Sequence, residues 1–408
     1  MRLARRAFLR LSAIGPLALL AGPALSRQDL PRSQQGGKRP PARSELVTLF
    51  LCGDVMTGRG VDQVLPHPSD PTLHEPLMRS ALGYVELAER VNGPIPRPVD
   101  FSYVWGDALQ ELARAAPDVR IINLETSVTR SDDWTDKGIH YRMHPENLPC
   151  LEAARIDCCA LANNHVLDWG DAGLAETLAA LRKAGLRPIG AGRNRAEAEA
   201  PAIIEVPGRG RVVAFSLGSV TSGIPPEWAA SEEKPGVNLL EKSTIPRIAE
   251  AVRRVRQPGD IVVASIHWGE NWGYEIPREQ RTLAHRLIDE AEVDVLHGHS
   301  SHHPIGIEVH RGKPILYGCG DFLNDYEGIG GTERFRSDLA LMYLVSMDAS
   351  TGELARLEMT PFRIRRFRLN RVPREDARWL REVLGREGAK LGTKVELGAR
   401  DRLALGWR

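Results

Sequence analysis

The sequence has no apolar run long enough for an uninterrupted membrane span, no cysteine framework and no excess of one charge. Its most apolar N-terminal stretch, Leu11 to Leu25, is broken by Gly15, Pro16, Gly22 and Pro23. A spanning helix needs about 20 consecutive apolar residues. The cysteines, Cys52, Cys150, Cys158, Cys159 and Cys319, are odd in number and irregular in spacing. That excludes a disulfide scaffold. Cys52, Cys158 and Cys319 lie in or beside apolar runs and read as small buried hydrophobes. Basic and acidic side chains number 54 and 53, a formal net charge of +1, so composition supplies no polyanion-binding surface. There is no Walker-type loop and no nucleophile elbow. The alternating arginines of "RIRRFRLNR" (363–371) read as an edge strand with one solvated face, and no nucleic-acid partner is expected.

What is present falls into four parts. Residues 1–26 carry paired arginines Arg5 and Arg6, then Phe8 and Leu9, and close on the small-x-small pattern Ala24-Leu25-Ser26. This predicts an export signal, and "RRAFLR" resembles the twin-arginine type. The expected location is the periplasm or cell envelope, with membrane anchoring if the signal is retained. Residues 27–45 are polar and rich in Pro and Gly, a flexible tether. Residues 46–370 alternate strand-like apolar runs with helical segments, and 371–408 hold a surface helix, a C-terminal helical extension.

The strands expected are 46–52, 120–124, 157–162, 212–218, 260–266, 293–298, 305–309, 313–319 and 339–347. The clearest helices are 171–185, closed by Gly185, then 243–257, 277–291 and 374–388. Hairpin turns are expected at "HRGK" and "DASTGE". Six strands run into polar clusters: "GDVMTGRG", "NLETSV", "NNHVLD", "HWGENWGYE", "HGHSSHHP" and "GDFLND". In open α/β sheets, ligands bind outside the carboxyl ends of the strands. Asp, Glu, Asn and His gathered there form an oxygen and nitrogen donor set suited to Zn, Mn or Fe, with no cysteine in it. Each cluster alone has a plainer reading: a Gly-Asp pair is a turn, "NLE" a helix cap, "HWGEN" a buried His-Trp pair. Their succession along the chain favours a metal site.

The motifs "GDVMTGRG", "NLETSV", "NNHVLDWGDAG", "HWGENWGYE" and "GHSSHHP…GIEVHRGKPILYGCGDF" together resemble the bacterial capsule-synthesis CapA family, also called the poly-gamma-glutamate biosynthesis family. The resemblance runs from Leu46 to Phe322 and more loosely to 348. It implies a fold similar to the calcineurin-like metallophosphoesterases, a four-layer α/β/β/α sandwich, here with a C-terminal helical appendage. It also implies roles. Asp54, Glu125, Asn164, His267, His299 and His302 would hold one or two divalent ions, Mn, Zn or Fe. His165 would be a general acid, with Asp168 orienting it. Arg59 would meet an anionic group; Lys137, Tyr141 and Arg142 in "KGIHYRMHPE", and Glu270 in "HWGENWGYE", are further substrate-binding candidates. A plain surface loop explains "KGIHYRMHPE" equally well.

Three departures from the family pattern stand out. Met56 occupies the position of a histidine in Asp-x-His, Glu125 that of a bridging Asp, and Ser300 one at which histidine is common. Two functions follow as expectations. One is an exported protein with a metal-dependent, phosphoesterase-like hydrolase site that acts on a phosphoester or an anionic envelope polymer, such as poly-gamma-glutamate or a capsule precursor. The other is a non-catalytic accessory that guides such a polymer during export alongside the envelope machinery. Loss of the Asp-x-His histidine favours the second.

Overall fold

The structure is a computed structural model that describes residues 46–241 and 243–408. The expected export signal and tether, 1–26 and 27–45, lie outside the described residues. Among those described, no helix is long and apolar enough to cross a membrane.

Two sheets form the centre. The larger runs Thr393–Leu397, Leu403–Trp407, Leu354–Ile364, Leu339–Asp348, Leu46–Val55, Val119–Leu124, Cys158–Ala160, Arg187–Ile189 in spatial order. The smaller runs Ile307–His310, Lys313–Leu316, Val295–His299, Ile261–His267, Arg211–Gly218, Ala202–Glu205. Alternation along the first strand explains how they stack. Val47, Leu49 and Leu51 pack with Val212, Ala214, Ile261 and Val263 of the smaller sheet. The intervening Phe50 and Cys52 face the other way, into a core shared with the helices Leu82–Asn92, Ala108–Ala115 and Gly170–Lys183. Val213, Phe215, Val262 and Ala264, on the far face of the smaller sheet, pack on Thr244–Val255 and Arg278–Asp289. Successive strand residues point to opposite faces, so three apolar cores define four layers, helix–sheet–sheet–helix. This is the sandwich expected.

The strand and helix bounds follow the sequence pattern closely. Both hairpins form; the "HRGK" turn places Arg311 at φ 49° and Gly312 at φ 76°, joining Ile307–His310 to Lys313–Leu316. All five cysteines are buried and free. The C-terminal segment contains the expected helix, Arg374–Ala389, but also two strands, Thr393–Leu397 and Leu403–Trp407, that extend the larger sheet. The segment is therefore part of the sandwich as well as a helix beside it.

Glu111 ties that extension down. It lies on the helix Ala108–Ala115; its Oε1 accepts from Arg114 at 2.5 Å and from Arg371, and its Oε2 accepts from Arg402 at 2.7 Å. Burial alone would raise this carboxyl, but hydrogen bonds from Arg402, Arg114 and Arg371 outweigh it and bring it down to about 2. A depressed carboxyl contributes stability above its unfolded value and loses it as pH falls through the folded one. Glu111→Gln should therefore cost about 1–2 kcal/mol at pH 7, discounted because the guanidiniums are partly solvated. The gap to wild type should close as pH falls from about 4.5 to about 2. Urea titrations at pH 7 and pH 3 check this, and an equal gap at both would refute it.

Candidate metal centre

The site forms where strands of both sheets end. Asp54 lies near the carboxyl end of the first strand, in register with Asn123 on one side and with Asp321 of the short strand Asp321–Leu323 on the other. His267 and His299 end adjacent parallel strands of the smaller sheet, also in register. Parallel pairing delivers these side chains to one edge, because parallel neighbours in register finish at the same level.

The first strand and the short strand Asp321–Leu323, paired within the larger sheet, approach closely here. Asp54 N–H donates to the Gly320 carbonyl at 3.0 Å. A Cβ on Gly53 would lie 1.5 Å from Gly320 O, so only glycine permits the approach that sets Asp54 beside Asp321. Gly53→Ala should force the strands apart, cost about 3 kcal/mol and lower bound metal together with thermal stability. Elemental analysis of the folded variant checks it; full metal content would show that the approach is dispensable.

Two groups of donors could each hold a cation: Asp54 with His267 and His299, and Asp54 with His302 and Asp321. In each, one donor atom per residue lies within 4.8 Å of the others, and Asp54 belongs to both. The hydrogen bonding around them suits metal ligation. His267 Nδ1 and His299 Nδ1 face each other at 2.8 Å. Their other ring nitrogens have partners: His267 Nε2 meets Asn164 Oδ1 at 3.0 Å, and His299 Nε2 meets Ser265 Oγ at 3.0 Å. With the Nε2 protons given to those acceptors, both Nδ1 lone pairs turn inward, as ligating histidines require. Burial lowers both imidazoles well below their ordinary values, which keeps them in the neutral, metal-binding form. His302 pairs with Asp321 through Nδ1 at 2.8 Å. Burial would lower His302, but the Asp321 charge prevails and raises it.

Charge supports the same conclusion. Asp54, Glu125 and Asp321 are all buried, and among the described residues their ion-pair partners within reach are histidines. The nearby Asp168 is paired with Lys137, and Glu75 and Asp325 with Arg59. Buried carboxylates without a countercharge are costly. Accordingly, burial and then the charge of Asp321 push Asp54 up to about 7, and burial, Asp54 and Asp321 raise Glu125. A divalent cation would supply the missing charge, so the residues fit one.

Behind the donors stands a hydrogen-bonded frame. Asn123 Nδ2 donates to Asp54 Oδ1 at 2.7 Å and to Glu125 at 3.2 Å, while its Oδ1 accepts from Asn163 at 3.0 Å. Asn163 Oδ1 in turn receives the His165 backbone N–H at 3.0 Å. The paired asparagines thus divide the work: Asn163 fastens the turn, and Asn164 holds His267. Glu125, expected as a ligand, lies outside both donor groups; its Oε1 is 3.9 Å from His267 Nε2 and 3.8 Å from His165 Nε2. His165 Nδ1 meets Asp168 Oδ2 at 2.7 Å, which leaves Nε2 on the side of the cluster. Burial pushes this imidazole down to about 4, with Asp168 partly opposing.

A cavity of about 710 Å³ reaches the cluster at His302 and is lined also by Arg59, Lys137, Tyr141, Asn164 and His165 among others. Arg59 makes a two-toothed pair with Asp325, at 2.5 and 3.1 Å, meets Glu75 at 3.2 Å and is stacked between Tyr84 and Tyr141. Lys137 Nζ donates to Asp168 at 2.6 Å and to the Asn164 carbonyl. Two expected substrate-binding residues do not line the cavity. Arg142 is turned to the Ser131 carbonyl and Asp132 and stacks on Trp169 at 3.9 Å. Glu270 is exposed, while its neighbours Asn271 and Trp272 face the cavity. Residues absent from the sequence-level ligand set are Asp321, Asn123 and Ser265. Asp321 stood in the "GDFLND" cluster and Asn123 opens "NLETSV"; Ser265 lies within a strand and carries no separate signal.

A four-layer α/β/β/α sandwich with acidic and histidine donors at its strand ends defines a protein with a candidate metal centre between two sheets. Comparison with known proteins narrows this. The profile of the family described as "Bacterial capsule synthesis protein PGA_cap" matches residues 48–326, and the chain belongs to that family. It is 50 % identical over 356 residues to a protein of Mycobacterium tuberculosis (strain ATCC 25618 / H37Rv) named "Probable polyglutamine synthesis accessory protein", covering 86 % of this chain and 93 % of that one. It is 28 % identical over 323 residues to the "PGA biosynthesis protein CapA" of Bacillus subtilis (strain 168), covering 78 % of this chain and 72 % of that one. A crystal structure of a phosphatase from Mycoplasma pneumoniae overlaps 81 % of this chain and 95 % of its own with TM-score 0.43 and 12 % identity. That overlap is too loose to assign an activity.

Proposed function

We propose that this protein is an exported, metal-dependent, phosphoesterase-like hydrolase of capsule or poly-gamma-glutamate synthesis, acting at the cell envelope on a phosphoester or an anionic envelope polymer. The observation that carries this reading is the pair of donor groups sharing Asp54, one of whose members, His302, lines the cavity. Asp54, His267 and His299 would hold one divalent ion, Mn, Zn or Fe, and Asp54, His302 and Asp321 a second. Such an ion polarises a phosphoryl oxygen and makes bound water a better nucleophile. The chain's own groups do the rest. Asp168 fixes the His165 ring so that Nε2 can exchange a proton with bound substrate. Lys137 holds Asp168 and the Asn164 carbonyl, and so keeps the turn rigid.

The second reading is the accessory that guides polymer without turnover. Met56, buried where related sites carry a histidine, supports it, because its thioether is a poor ligand for hard metals. One experiment separates the two. Metal content of the purified chain is measured beside an Asp54→Ala, His267→Ala double variant, with a general phosphodiester assay on both. Near-stoichiometric metal in wild type only, with turnover that follows it, supports the hydrolase. Metal without turnover assigns the accessory role. Equal metal in both proteins refutes the site.

A further inference from the structure

The walls of the cavity do not match a polyanion. The Arg and Lys side chains lining it are Arg59 and Lys137, and both are engaged: Arg59 by Asp325 and Glu75, Lys137 by Asp168. Freeing either would leave a buried carboxylate unpaired, a costly step. A run of substrate carboxylates would therefore find no available Arg or Lys among the described residues of the walls. What the walls offer instead is apolar. Leu77 is 99 % exposed, and Ile139 and Ile329 are each 41 % exposed, all three on the lining. Below them Tyr84, Tyr326 and Trp272 carry the apolar surface down to His302. Single exposed aliphatics are ordinary; three around the mouth of one cavity mark a place where something apolar binds.

We infer that the substrate is an amphiphilic phosphate ester: one phosphate seated at the Asp54 cluster, with a hydrocarbon alcohol lying along Leu77, Ile139 and Ile329. This rests on the metal-site reading above and specifies its substrate class, a lipid-type phosphate rather than the polymer's own run of carboxylates. The two halves of the cavity match the two halves of such a molecule. The donor groups supply the site for a single anionic head, and the rim removes an alkyl chain from water.

The test is calorimetric binding to the Mn(II)-loaded full chain. The probes are inorganic phosphate, methyl, butyl and octyl phosphate, and a hexamer of gamma-linked glutamate. Affinity should rise about fourfold for each methylene the rim buries, with octyl phosphate the tightest of the five. A triple variant, Leu77→Ser, Ile139→Ser, Ile329→Ser, should flatten that rise to less than twofold per methylene. Because these side chains are exposed, the substitutions leave the core intact, which a thermal melt verifies. Equal affinity for inorganic, methyl and octyl phosphate would overturn the inference and leave the metal site standing. So would tighter binding of the glutamate hexamer. Failure of every phosphate to bind, with Mn(II) or without it, would overturn both.

Discussion

The Asp54→Asn variant should lose its metal and become more stable without it. Asp54 is the one residue common to both donor groups, so its removal dismantles both at once. Under the hydrolase reading proposed above, turnover should fall about 10³-fold, the scale of several kcal/mol of transition-state stabilisation. Stability of the metal-free protein moves the other way. Burial and the neighbouring Asp321 push the Asp54 carboxyl from 3.8 up to about 7. The metal-free folded state therefore binds this proton more tightly than the unfolded chain, and stability declines as pH rises from about 4 to about 7. The amide that replaces the carboxyl in Asp54→Asn has no charge to bury and should remove most of that decline. Melting curves of chelated wild type and variant at pH 5 and pH 8 measure the effect. A variant that retains stoichiometric metal, or whose pH profile parallels wild type, would refute the shared-ligand assignment.

The largest loss of stability is expected at Arg59→Met. The guanidinium is buried between two tyrosine rings and balances two buried carboxylates, Asp325 and Glu75. Removing one member of such a group leaves charge uncompensated, at about 3–5 kcal/mol. Arg59 also holds a left-handed backbone at φ 47°, a conformation that non-glycine residues keep only where surrounding contacts enforce it. The urea midpoint should drop with little change in slope. Arg59→Lys should recover less than half of the loss, because an ammonium cannot span Asp325 in two places and Glu75 as well. A loss below about 1 kcal/mol would contradict a structural role for this network.

Much of this was legible before the fold was known. Parallel strands buried on both faces leave apolar runs that stop abruptly at polar clusters, and that is how Asp54, His267, His299 and His302 stand out. The pattern weakens where one residue type serves two purposes. Asp321 follows a glycine and reads as a turn, yet it lies 2.8 Å from His302. Asn123 is inside a strand, and only register shows that it faces Asp54. Arg142 reads as a substrate-binding candidate, whereas its guanidinium fastens a loop through Ser131 and Asp132. Pairing between distant segments decides such cases, and spacing along the chain does not record it. The final strands show a different limit. "TKVEL" alternates buried and exposed positions, a valid strand signal that is short and lies next to a stronger helix.

The meeting of Asp54 with Ser300 and Asp321 would give a cation held there a second role, in folding kinetics. Ser300 N–H donates to Asp54 at 3.1 Å across 246 positions of sequence, and Asp321 lies farther along still. Donors that distant assemble only after the slow long-range pairings, so metal capture would belong to the last stage of folding. A bound ion would join the first strand of the sandwich to chain that arrives late. Chelation would then act as the removal of a latch, speeding unfolding more than it slows refolding.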